Sequence, residues 1–198
     1  PKNPRWQNYV DIWTQIPLLT FVKNTVKITV VVTLLQLFTS SFAAYAFAKM
    51  QFKGKNALFL GYIATIAVPW QAYMVPQFMM MSSWHLNNTH LAIMCLQAFS
   101  AFGVFLMKQF YEGVPTELCE AARIDGLSEY GIWWHIMLPL SLPALSTLTI
   151  FTFVNTWNDF LGPLIYLTKT ELKTIQIGLR MFITQYSAEY GLIMAASV

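Results

Sequence analysis

Residues 117–143 read ELCEAARIDGLSEYGIWWHIMLPLSLP, the longest interruption between the apolar runs of the chain. The stretch carries Glu117, Glu120, Asp125 and Glu129, with Glu112 just upstream. Its grammar predicts two short helices joined by a glycine turn. Pro115 suits the first turn of the first helix, where a missing N–H costs nothing. Glu117 and Glu120 then fall near the positive end of the helix dipole. Gly126 supplies the left-handed residue that ends the helix. Ser128 is placed to cap the second helix, residues 129–138, which Pro139 is expected to close.

Around this island the chain is oily. Apolar residues make up 56% of the sequence and charged residues 11%, and the mean hydropathy is +0.49. A soluble domain carries about 25% charged residues. A chain this poor in charge lacks the polar side chains to coat itself, so the surrounding solvent is expected to be membrane lipid. The net charge of +3 is small and scattered, which argues against nucleic acid. Two cysteines, Cys95 and Cys119, are too few for a disulfide framework and are read as packing residues.

The apolar runs predict an all-α, polytopic membrane helix bundle with spans at about residues 21–48, 57–81, 91–111 and 142–167, and a partial span at 188–198. Trp6, Tyr9 and Trp13 precede the first span as interfacial aromatics or as packing against a neighbour. Pro69 and Pro76 interrupt the second, which either lines a pathway or is merely a bent packing helix. His85 and His90 lack the spacing and carboxylate partners of a metal site and are read as solvated loop residues. Lys49, Lys53 and Lys55 crowd one tight turn, a cytoplasmic signature. Two crossings later, the segment 112–141 is expected on the same side. The chain is expected to be the interior of a longer protein, a single transmembrane domain over 1–198 incomplete at both ends.

The spacing Glu120-Ala121-Ala122, then Gly126, then Ile136-x-Leu138-Pro139 resembles the EAA signature of permeases of ATP-binding-cassette importers. FLMKQF at 105–110, LPLS at 138–141 and WNDF at 157–160 resemble the carbohydrate-uptake, maltose-type branch of that family, as do AYAFAK at 44–49 and LNNT at 86–89. The likeness covers nearly the whole chain. It implies a type I importer fold in the inner (plasma) membrane and a cytoplasmic ATPase-coupling loop. Glu120, Ala121, Ala122, Asp125, Gly126, Ile136, Leu138 and Pro139 belong to that loop. It further implies a second permease subunit, a cassette ATPase dimer and an extracytoplasmic solute-binding protein as partners, with a sugar or oligosaccharide as solute. An importer of another polar metabolite, such as a glycerol phosphodiester or a polyamine, and a non-transporting membrane scaffold are the alternatives.

The sequence holds no G-x-x-x-x-G-K-[ST], no H-E-x-x-H and no G-x-S-x-G. Hydrolysis of ATP is therefore expected in a separate subunit, with no cofactor or metal here. Leu118, Ala121 and Ala122 are expected to dock the first short helix in a partner's groove. In the fourth span Thr152, Asn155, Thr156 and Asp159 recur every three or four residues and share one helical face. Asn155 and Asp159 are candidates for a solute pathway. Hydrogen bonding between helices is the competing reading of the same residues, and solvation of Asp159 at the interface is a third.

Overall fold

The structure, a computed structural model, describes Ile12 and residues 16–184. The aromatics at Trp6, Tyr9 and Trp13 and the partial span at 188–198 lie outside the described residues. In chain order the helices are α1 (Leu18–Lys49), α2 (Lys55–Ala64), α3 (Trp70–Ser83), α4 (His90–Gln97) and α5 (Ala101–Glu112). They continue with α6 (Glu117–Ile124), α7 (Glu129–Leu140), α8 (Leu142–Trp157), α9 (Leu161–Tyr166) and α10 (Ile175–Thr184). No strand occurs among the described residues.

α1 organises the bundle. It has 32 residues without Pro or Gly, a rod of about 48 Å. Its buried face carries the larger Phe21, Ile28, Val32 and Tyr45, and from Thr33 through Ser40 and Ser41 to Ala44 only small side chains at helical spacing. Small residues let helix backbones approach closely in lipid. Gly103 of α5 shows how closely: a Cβ there would collide with the Ser40 side chain. The larger apolar residues Leu34, Phe38 and Phe42 sit on the exposed face. α4, α5, α8 and α10 all pack on α1.

Hydrogen bonds fix which loops share an end. At one end Lys49 Nζ donates to the Val114 carbonyl at 2.5 Å. This joins the turn after α1 to the 112–141 segment. Lys49 is only 7% exposed, so part of the positive charge assigned to that turn is in fact buried and bonded. At the other end Asn24 donates to the Glu171 and Lys173 carbonyls at 2.8 and 3.0 Å. The Thr25 hydroxyl accepts from the Ile175 N–H at 2.9 Å. Residues 168–174 therefore lie at the end opposite the acidic segment.

Several expectations change. His90 is not solvated: it is buried, and its Nε2 lies 2.9 Å from the Leu172 carbonyl. The segment 57–81 is two helices, Lys55–Ala67 and Trp70–Ser83, meeting at 101°. Pro69 causes the break, because it holds Val68 extended at ψ 113°. Pro76 breaks nothing and sits inside α3. In 142–167 the long helix stops at Trp157, and α9 begins at Leu161. Cys119 is fully buried, whereas Cys95 is exposed rather than packed; both thiols are free.

Two helices among the described residues, Leu18–Lys49 and His90–Glu112, are long and apolar enough to cross a membrane. Two bent pairs raise the number to four if each is one span: the 101° pair, and Glu129–Leu140 with Leu142–Trp157 at 80°.

Candidate functional site: a docking segment and a polar cavity

α6 is two turns long and two-faced. Cys119 and Ala122 point into the core, where the Cys119 Sγ lies 3.8 Å from the Met137 Sδ. Burial pushes the Cys119 thiol up from its ordinary range. Leu118 and Ile124 face outward, the latter 87% exposed, beside exposed Glu117, Glu120, Ala121 and Asp125. Ala122, expected from the sequence to share a docking face with Leu118 and Ala121, is instead buried against the core. Ile124, which the sequence reading passed over, lies on the outward face instead.

The turn after α6 follows from local chemistry. Gly126 adopts φ +86°, a conformation open to glycine at no steric cost. The Leu127 N–H reaches the Ala122 carbonyl at 3.0 Å and the Gly126 N–H the Arg123 carbonyl at 3.1 Å. These are the two bonds of a Schellman motif. Ser128 caps α7 by accepting from the Gly131 N–H at 3.2 Å. Pro115 lies before the cap Thr116 rather than inside the first turn. Pro139 does not close α7. Residues 133–137 form a turn of π-helix, and the helix resumes through Leu140. A proline removes one donor and clashes with the carbonyl four residues back; the wider turn ahead of it absorbs that mismatch. Ile136 and Leu138 pack, partly buried, on the core cluster around Trp133, and Pro139 is exposed.

Glu129 accepts from Arg123 through Nε at 2.7 Å and Nη2 at 3.2 Å. It also accepts from the Tyr45 hydroxyl at 2.5 Å. The Arg123 guanidinium holds the Glu129 carboxyl below its ordinary range, the Tyr45 hydroxyl assists, and partial desolvation opposes both. No sequence signal announced this cluster, since Tyr45 and Glu129 are 84 positions apart.

The second site is a cavity of about 510 Å³ between α1, α3, α4 and α8. Trp70, Tyr73 and Phe102 bring aromatic rings to its wall, and Gln36, Gln97 and Asn155 bring amides. Thr152, Asn155, Thr156 and Asp159, the four residues grouped by spacing, all line it. Their settings differ. Asn155 is exposed, while Thr152 and Thr156 are buried. Thr152 donates to the Gln36 side-chain oxygen at 3.0 Å, and Gln36 donates onward to the Gln97 carbonyl at 2.7 Å. Asp159 lies past the end of α8. It accepts from the Gln97 amide at 2.7 Å and from the Gly162 N–H at 3.2 Å. Its carboxylate thus borders the cavity and also ties α4 to α9. Gln36, Trp70, Tyr73 and Gln97 were not legible as lining residues, because they come from three separate apolar runs, Trp70 and Tyr73 sharing one. No group of His, Cys, Asp and Glu suited to a metal occurs among the described residues.

Known proteins share this architecture. Residues 36–198 match the family described as "Binding-protein-dependent transport system inner membrane component". The arabinooligosaccharides transport system permease protein of Halalkalibacterium halodurans is 38% identical over 199 residues, covering 100% of this chain and 71% of that protein. The lactose transport system permease protein of Rhizobium radiobacter is 35% identical, covering 98% of this chain and 71% of its own length. Among solved structures, a bacterial ABC transporter involved in import of the acidic polysaccharide alginate superposes with a TM-score of 0.87 at 25% identity. That match covers 97% of this chain and 74% of the other. An all-α bundle with apolar helices at membrane length, and these matches along its whole length, agree: the chain belongs to the family of inner membrane components of binding-protein-dependent transport systems.

Proposed function

We propose that this permease subunit imports a sugar or oligosaccharide, that its solute route runs along the cavity, and that α6 docks on a separate cassette ATPase. The cavity wall carries the solute assignment. Sugars present hydroxyls and apolar ring faces together, and a wall of amides, hydroxyls and aromatic rings meets both. Among the described residues that wall has no Lys, Arg or His, which favours a neutral solute over a phosphodiester. The relatives named for arabinooligosaccharides and lactose point the same way.

The docking assignment rests on the outward face of α6. Leu118, Ala121 and Ile124 form a short apolar strip flanked by Glu117, Glu120 and Asp125. A groove with an apolar floor and a basic rim is its complement. Gly126, Ile136, Leu138 and Pro139 shape and support that helix. A second permease subunit, a dimer of the ATPase and an extracytoplasmic binding protein complete the machine, the last meeting the end that carries residues 168–174.

Uptake assays in vesicles containing the assembled complex test the proposal. Labelled neutral oligosaccharides should accumulate on addition of ATP and binding protein. Accumulation of a phosphodiester or a polyamine instead would overturn the solute assignment.

A further inference from the structure

The last turns of α1 grip the docking segment at points to which the transport cycle has so far given no role. Lys49 holds the Val114 carbonyl just ahead of α6. One turn earlier Tyr45, 2% exposed, donates to the Glu129 Oε2. Glu129, the first residue of α7, accepts in turn from Arg123 in the last turn of α6. One carboxylate thereby joins α1, α6 and α7. A half-exposed ion pair contributes little to stability. A bidentate pair locked against a buried hydroxyl, however, fixes direction.

The other end of the lever is also visible. Gln36 lies nine residues before Tyr45 on α1, about 13.5 Å along the axis. There it binds Thr152 and the Gln97 carbonyl at the cavity wall. Between them α1 has no Pro or Gly to absorb a displacement.

We infer that Glu129 is a positioning residue that yokes α6 to α1, so that a push on α6 displaces the cavity wall instead of pivoting α6 about Gly126. The inference rests on the docking reading proposed above.

The test uses the complete complex in lipid vesicles with its binding protein. Tyr45→Phe removes a single oxygen, and Glu129→Gln removes the charge. Both should retain ATP hydrolysis, while solute taken up per ATP falls about five-fold or more, the lower end of site-to-site coupling. A structural role alone would not move a second readout: the distance between spin labels at Asp125→Cys and Leu34→Cys, in a chain with Cys95→Ser. ATP should leave that distance unchanged in the parent chain and alter it in both variants. Parent-like coupling and distances in Tyr45→Phe would overturn the yoke, and this variant decides the matter if Glu129→Gln fails to assemble. Cross-linking from Ala121→Cys to the ATPase separates the two ideas. No cross-link overturns the docking reading and the yoke with it, whereas a cross-link with parent-like coupling overturns the yoke alone.

Discussion

Ala121 and Ala122 are neighbours in the chain and face opposite ways: Ala122 is 5% exposed against the core, and Ala121 is open. The two alanines of the family resemblance thus divide into one that holds α6 down and one that faces outward. Ala122→Leu should overpack the cluster of Cys119, Trp133 and Met137, at a cost of about 1–3 kcal/mol. Ala121→Leu should leave the melting temperature of the purified permease unchanged and reduce ATPase retention on affinity purification. Equal effects of the two on melting would count against the division.

At Gly126 only the backbone resists a side chain, because a Cβ there meets nothing within 4 Å. Gly126→Val should cost about 1–2 kcal/mol through the left-handed conformation. Gly126→Asn should be milder, since Asn tolerates that region. The measurement is uptake and melting for the pair, with the order Gly, Asn, Val in both.

The Arg123–Glu129 pair gives a pH signature. The Glu129 carboxyl titrates below its ordinary value of 4.5 in the folded protein. Its stabilising contribution is therefore fully present above that value, and it is lost as pH falls through the lower, folded one. Protection of the α6 amides from hydrogen exchange, taken against the intrinsic rate at each pH, should fall in acid in the parent chain. In Glu129→Gln the same amides should be less protected at neutral pH already, and less responsive to acid than the parent.

The two ends of the bundle should label from opposite sides. Thr170 and Asp125 are both exposed, and they lie at opposite ends. In a chain with Cys95→Ser, Thr170→Cys should react with an impermeant thiol reagent applied outside intact cells. Asp125→Cys should react only after the membrane is opened. The reverse pattern would invert the orientation and remove the docking proposal.

Asp159→Asn replaces a carboxylate that accepts from two donors, Gln97 and Gly162. Asn offers one acceptor oxygen, so one donor loses its partner, at about 1–3 kcal/mol. The complex should therefore lose stability as well as uptake. Trp70→Ala, by contrast, should lower uptake with assembly unaffected, because it trims the cavity wall without cutting that network. Normal uptake by Trp70→Ala would move the solute route elsewhere.

The local grammar of the docking segment could be read in advance, and the long-range contacts could not. Gly126 and Ser128 act through bonds within five residues, so their residue types announced the turn and the cap. Pro69 and Pro76 look alike in the chain, yet only Pro69 breaks its helix; nothing local separates them. His90 reads as a loop residue until Leu172 arrives from 82 positions away. Ala121 and Ala122 differ only in which side of α6 the core occupies. The spacing of Thr152, Asn155, Thr156 and Asp159 did point to one place, because helical periodicity is local. The residues facing them across the cavity come from helices whose pairing no local pattern encodes.

From Thr33 to Ala44, α1 turns threonine, serine and alanine inward and leucine and phenylalanine outward, inverting over that stretch the sorting by size found in water-soluble cores. In oil both faces are equally content, so bulk rather than polarity separates inside from outside. Ser40 and Gly103 set the narrowest gauge, and a methyl group added there is an obstruction. Several methylenes trimmed from Leu34 are merely replaced by lipid chain. Tolerance to substitution between Thr33 and Ala44 should therefore track the volume of the incoming side chain, with hydropathy a poor guide.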